Sequence, residues 1–460
     1  MAGIGFKLQK MLSEDTYFST ISAYVYAAAI SSGPWLFTIV SIGCLSFFSS
    51  IYLKKAEIMI FNSIIVYSYA FSLIITGIIQ MVTTRYVSDK FYSNESYAIL
   101  PAYFSSLTLA TVIQACIGII FYSFFDFPPK ISILAILLYI MISDIWIAMI
   151  FLSTLRNYRG ILISFLSGAT GSLIASIILG KYFGFAGMLT GFTIGQAIIF
   201  LLLSRNIVSE FNYTKPITKE YLSYFTLFPQ LAIIGFVYNL AIWIDKMIFW
   251  YGEPGEQIFS LLYFCPVYDT TIYIAYIMTV PSLALFIIKL ETGFYRHYME
   301  FYTSISNKYP LRIIKERKKT VVKSIYHGFQ QVLKLQGLIT ISGIIFADFI
   351  IDILKIDWKL IAILRISFLS AFLHVLLLFL TILILYFDFR NLCMGIALLF
   401  LGTNALLSYI SIILGFPYYG YGYLFSCLIS LITGFILFAK KIDSLEYLTF
   451  MQQPVISDSE

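Results

Sequence analysis

Six ionisable residues stand inside long apolar runs of this sequence: Asp144, Asp245, Lys246, Asp269, Asp348 and His374. Each costs ~2.5 to 3.5 kcal/mol to insert at the centre of a membrane helix, so each needs a reason to be there. The chemistry such groups offer is a polar path through lipid, and all six are candidates to line one. Neighbours on a helix point about 100° apart, so Asp245 and Lys246 are expected to meet different partners. Both sit late in their predicted span, and snorkelling outward is the competing reading. Asp144 and Asp269 read as deeper and better placed to face an aqueous cavity. Helix breaks point the same way: Pro34, Pro229, Pro266 and Pro281 are expected to interrupt spans one, seven and eight, and thereby to mark gating positions.

Other chemistry is poorly supported. The sequence has no DxD pair for a nucleotide-sugar metal ion, no Walker-type glycine loop and no HExxH, so no catalytic residue is assigned. His374 resembles the single buried histidine of membrane-bound acyltransferases, but a lone histidine on a helix is more often a packed, hydrogen-bonded residue. Five cysteines, scattered singly without clustered histidines, indicate neither disulfides nor a metal site, and no cofactor is expected.

The elements that must hold these residues follow from composition. The chain is 60% hydrophobic and 12% charged, with a mean hydropathy of +0.88, far from soluble globular proteins. Its solvent is lipid, and helices are the default because backbone groups must be satisfied within each span. Apolar runs predict spans near 20–50, 57–83, 97–125, 131–153, 160–180, 184–204, 223–250, 258–288, 336–355, 360–387, 391–413 and 419–439. The expected fold is an all-α membrane protein of about twelve transmembrane helices, in two six-helix halves around a central cavity. Residues 1–205 form the first half, 206–222 a cytoplasmic linker and 223–460 the second half. Residues 4–12 have the spacing of a short amphipathic helix on the membrane surface.

Basic residues concentrate in the segments that become cytoplasmic if the N-terminus is inside, which predicts both termini cytoplasmic. The net charge of +6 suits membrane topology, not nucleic-acid tracking. Its main source is the insertion 289–334, where ten Lys and Arg face Glu291, Glu300 and Glu316. Within it, Arg312, Lys315, Arg317, Lys318, Lys319 and Lys323 are candidates to contact either anionic lipid or a cytoplasmic partner. A five-residue identity, Ser176 to Gly180 with Ser411 to Gly415, is followed each time by an aromatic-glycine cluster and is expected to end the fifth span of each half. Gly187, Gly191 and Gly195 form a small-xxx-small ladder suited to close helix packing.

The N-terminus Met1-Ala2-Gly3-Ile4-Gly5-Phe6, followed by Ser31-Ser32-Gly33-Pro34-Trp35, resembles the PelG family of exopolysaccharide transporters. Further matches run through Ile242-Trp243-Ile244-Asp245-Lys246, then Pro266, Tyr268, Asp269 and Pro281, and Glu291-Thr292 with Phe294. The resemblance covers both halves. It implies membership of the multidrug/oligosaccharidyl-lipid/polysaccharide exporter superfamily. It further implies an amino-sugar-rich Pel polysaccharide as cargo, with a cytoplasmic glycosyltransferase and membrane-anchored regulatory subunits as partners. The expectation is therefore a bacterial inner-membrane polysaccharide exporter rather than an enzyme. Two other classes remain: a non-transporting scaffold for a glycosyltransferase, which gains if Asp144 and Asp269 pack into sealed cores, and an ion-coupled exporter of drugs or lipid-linked substrates.

Overall fold

The computed structural model describes residues 53–155, 158–211 and 219–451, together with 22, 24, 27, 28, 37, 40–48 and 50. Pro34 and the amphipathic N-terminal stretch lie outside the described residues. Among the described residues, eight helices are long and apolar enough to cross a membrane, or up to ten if each of two bent pairs is one span. The chain is a multi-pass membrane protein.

The first group of helices is α1 (Lys55–Tyr92), α2 (Ile99–Tyr122), α3 (Pro129–Leu155) and α4 (Tyr158–Glu210). At about 1.5 Å per residue, the 38 residues of α1 exceed a hydrocarbon core of about 30 Å, so its last turns project beyond the lipid. α4 looks continuous but is not, because Gly184 has φ +59° and ψ −140° and turns the chain back on itself. Glycine tolerates this backbone and other residues pay for it. The two arms then close on the glycine ladder: a Cβ on Gly191 would strike the backbone of Ser176, and one on Gly195 would strike Ser172. Ser176 Oγ donates to the carbonyl of Met188 at 3.1 Å across the same hairpin.

A short helix α5 (Lys219–Leu227) leads to the second group. Its members are α6 (Pro229–Tyr251), α7 (Pro266–Ile277), α8 (Val280–Lys289), α9 (Tyr295–Ser306), α10 (Leu311–Ile345), α11 (Ala347–Leu354), α12 (Ile361–Tyr386), α13 (Arg390–Leu414) and α14 (Tyr421–Asp443). A last short helix, α15, spans Leu445–Met451. Here too a hairpin closes on glycine. Gly415 and Gly420 both have φ +90°, and a Cβ on Gly422 would strike the backbone of Ser408 in α13. The repeated sequence therefore sits in two like hairpins, with one correction. In the first copy the helix does not end at Gly180 but runs on to Gly184; in the second it stops at Leu414.

Three further expectations are corrected. The predicted span 258–288 starts instead with a β-hairpin, β1 (Glu256–Phe259) against β2 (Leu262–Phe264), whose aromatic residues mimic a membrane run. Pro266 then opens α7 as one of its first residues and does not interrupt a helix. Pro229 likewise starts α6, after a break at Phe228, in the position where a missing amide donor costs nothing. Pro281 does mark a break: α7 and α8 meet at 41° just before it. Finally, in the predicted loop-and-span 289–355 the boundary between loop and span vanishes: after α9, the single helix α10 runs from the basic segment far into the apolar one and then bends by 65° into α11.

The helix ends fall into two layers. One, the basic end, holds Arg85, Lys90, Glu220, Arg390 and Lys441, and the opposite end holds the β-hairpin and Gly184. At the opposite end one apolar core is shared by both groups, with Phe61, Leu138 and Phe192 of the first packed with Phe249, Tyr268 and Phe368 of the second.

Candidate functional site

The two groups meet along α1 and α6, which run antiparallel. Midway, Gly77 and Gly235 bring the backbones so close that a Cβ on either would strike the other's carbonyl oxygen. Asn239 Nδ2 donates to the Gly235 carbonyl at 2.8 Å and fixes this crossing. Toward the opposite end, Tyr67 hydroxyl donates to Tyr263 carbonyl at 3.1 Å and to Tyr251 hydroxyl at 3.3 Å. Toward the basic end, Arg85 lies 5.3 Å over the Phe228 ring while Arg390 lies 4.9 Å from the same ring. Asp388 joins both cations, at 3.8 Å from Arg85 and 3.1 Å from Arg390. Lys90 adds pairs with Glu220 and Glu95, both at 2.6 Å, and its hydrogen bond holds the Glu95 carboxyl below the usual carboxylate range.

A buried polar cluster lies in the second group. Lys246 Nζ donates to both oxygens of Asp245 at 3.2 Å and to the Ile242 carbonyl, one turn back, at 2.9 Å. Asp245 is 0% exposed and Lys246 is 8% exposed. This corrects the expectation that adjacent residues on α6 meet different partners or snorkel outward: the flexible lysine stem curls back, and the two charges neutralise each other inside the bundle. Tyr268 on α7 donates to Asp245 at 2.6 Å. The ammonium also lies 5.2 Å from the Tyr423 ring, 5.7 Å from Trp243 and 5.8 Å from Tyr276, distances at which ring faces attract a cation. His374 on α12 completes the chain, with Tyr276 hydroxyl 3.2 Å from Nδ1 and Tyr238 hydroxyl 3.4 Å from Nε2; Tyr276 and Tyr423 share a hydrogen bond of 2.5 Å.

Asp269 belongs to the same region but does structural work. Its Oδ2 accepts from the Trp250 indole at 2.7 Å and from the Cys265 backbone at 3.0 Å, which caps the start of α7. It sits on the first helical turn rather than deep in a span, contrary to expectation. Asp144 stands apart, between α3 and α2, and accepts from Thr111 hydroxyl at 3.0 Å. It is 4% exposed, so in this structure it faces a neighbouring helix and not an aqueous cavity. Nearby, Trp146 donates to Ser72 at 3.2 Å and Tyr69 to Gln196 at 3.3 Å, so the surroundings are polar as well as buried. Asp348 lies on α11 at the far end, half exposed and paired with Arg365 at 2.9 Å.

Of the basic candidates, Lys318 pairs with Glu446 at 2.5 Å and Arg317 with Glu300 at 2.7 Å, which ties the start of α10 to α15 and α9. Arg312, Lys315, Lys319 and Lys323 remain exposed. Sequence reasoning thus named Asp245, Lys246, Asp269 and His374 but missed the tyrosines that join them, and it missed the Arg85–Asp388–Arg390 contact altogether.

The family model for PelG, described as "Putative exopolysaccharide Exporter (EPS-E)", matches residues 1–450. The chain belongs to the PelG family. A comparison with curated proteins found no match. Among solved structures, the fold is similar to a MOP superfamily transporter from Pyrococcus furiosus Vc1 at 11% identity, covering 92% of this chain and 96% of that one with a TM-score of 0.65. An outward-facing MATE multidrug resistance transporter of the same superfamily is similar at 12% identity, 92% and 96% coverage and a TM-score of 0.65. Its inward-facing counterpart matches at 12% identity, 93% and 95% coverage and a TM-score of 0.60. This PelG-family chain therefore has the MATE-type fold of a membrane transporter.

Proposed function

We propose that this chain exports a Pel-type exopolysaccharide across the bacterial inner membrane, fed by a cytoplasmic glycosyltransferase and working by alternating access or a gated path. Twelve spans in two six-helix halves, 1–205 and 223–460, would carry the path, with 206–222 linking them. The basic end then faces the cytoplasm, as the positive-inside rule requires, and both termini lie there. The single observation that carries this reading is the match of nearly the whole chain to a family described as an exopolysaccharide exporter. The geometry supports it through a seam of two helices whose backbones meet at two glycines and whose two ends are held by hydrogen bonds and charge contacts. Asp144 is the path residue of greatest interest, because a buried carboxylate with a hydroxyl partner and, among the described residues, no paired cation would suit the amino groups of such a polymer once α2 and α3 part.

The burial of Asp144 also favours a second reading, in which the chain is a non-transporting scaffold for a glycosyltransferase. One experiment separates them: polysaccharide secretion from cells lacking the gene, complemented by wild type, Asp144→Asn or Asp269→Asn at matched membrane levels. Loss of secretion in Asp144→Asn with glycosyltransferase recruitment intact supports the export path. Normal secretion in both variants removes these carboxylates from the mechanism and moves weight to the scaffold.

A further inference from the structure

α10 presents one exposed face along its whole length. Arg312, Lys315, Lys319 and Lys323 fall within an arc of about 80° at 100° per residue, and the same face continues through half-buried Gln330 and exposed Lys334 to Leu338, Ile341 and Ile345. The depth of each level is fixed by what packs on the other side. Lys318 is level with Glu446 and the Asp443 carbonyl, just past Lys440 and Lys441, where the apolar run of α14 ends. Further in, the Phe329 ring is 5.7 Å from Phe379, and a Cβ on Gly337 would come within 4.0 Å of Phe372.

Lys334 lies between these last two levels, opposite the middle of the span Trp358–Tyr386. It is about 16 Å deeper along the helix than Lys323, too far for a four-carbon stem to snorkel to the interface. It is exposed, and among the described residues no carboxylate pairs with it. A bare ammonium at that depth against lipid is the costliest arrangement a membrane protein can present.

We propose that this face of α10 is a docking surface for a transmembrane helix of a different membrane protein, which places a carboxylate opposite Lys334. Charge complementarity argues against a second copy, because the described residues have no free carboxylate to offer at that depth. Asp144 and Asp245 are buried, Asp269 is held by Trp250 and Cys265, and Asp348 is paired with Arg365 at the far end. Anionic lipid headgroups sit at the level of Lys319 and Lys323, not at mid-span. The proposal does not depend on what cargo the protein carries.

The test uses the full-length chain in its native membrane, with the photo-crosslinking residue p-benzoylphenylalanine replacing Gln331 or Leu338, the exposed neighbours that flank Lys334. Adduct peptides are sequenced by mass spectrometry. The expected adduct is an apolar segment of another protein that contains an Asp or Glu. Lys334→Glu and Lys334→Met, at membrane levels matched to wild type, should lower its yield about tenfold while Lys334→Arg preserves it, and changing the partner's carboxylate to lysine should restore yield with Lys334→Glu. Adducts confined to phospholipid, to a second copy or to the chain's own N-terminal segment with Glu14 and Asp15 would overturn the proposal. So would the absence of any protein adduct, or a yield indifferent to the charge at position 334.

Discussion

Each helix group buries a carboxylate, and the two are solved differently. Asp245 in the second group carries its own counter-ion next to it in sequence and accepts a third hydrogen bond from Tyr268, while aromatic faces from three helices, α6, α7 and α14, surround the lysine ammonium. Asp144 in the first group accepts from Thr111 and, among the described residues, has no paired cation. The first arrangement is closed on itself: every charge is answered, and removing one member exposes the other to a medium that solvates it poorly. The second is open in the chemical sense, since a cationic group could still be added to it. The contrast separates a cluster whose charges are paired from an acid held by a hydroxyl alone.

The sharpest test is Lys246→Met. It leaves Asp245 buried and uncompensated, and should cost about 3 to 5 kcal/mol, read as a large fall in the thermal midpoint of the purified protein in detergent. Adding Asp245→Asn to it should recover most of that loss, because the orphaned charge is gone. Next in size, Tyr268→Phe deletes a hydrogen bond to a charged acceptor and should lower stability by about 1.5 to 3 kcal/mol in the same assay. Asp144→Asn should change stability by about 1 kcal/mol at most, since no partner charge is stranded. Should Asp144→Asn destabilise as much as Lys246→Met, the two clusters are alike and the contrast fails. The smallest effect is expected for Arg85→Ala at the basic end, whose half-exposed pair with Asp388 at 3.8 Å is worth about 0.2 to 1 kcal/mol.

Much of this was legible in the sequence, for physical reasons that also mark where reading stops. Long apolar runs fix spans because lipid permits little else, and the Ser176 and Ser411 repeats do fall in two hairpins closed by glycine. Residues 258–264 of the β-hairpin look like membrane helix in the sequence because Phe259, Leu262, Tyr263 and Phe264 make an apolar run. Asp245 and Lys246 look divergent in the sequence because helical angle describes where Cβ points, while a lysine ammonium sits three methylenes beyond Cβ and can return. The Arg85–Asp388 contact joins positions some three hundred residues apart, and no local pattern announces it. A hint did exist, in that Asp388 and Arg390 bracket Phe389 at a helix start in the basic layer, an acid where cations otherwise accumulate.

The Gly77–Gly235 crossing has a mechanical consequence. With backbone against backbone at its centre, and the Asn239 and Met81 side chains beside it, the contact can act as a fulcrum on the α1–α6 seam. The lever arms are nearly balanced, about 15 Å to Tyr67 and about 12 Å to Arg85. Tilting one helix group by roughly 10° about that point would move each end by roughly 2 to 3 Å in opposite senses, enough to break a hydrogen bond at one end while compressing the other. The tyrosine contacts and the arginine contacts are then the two ends of one seesaw, and strengthening either should be felt as a bias at its opposite.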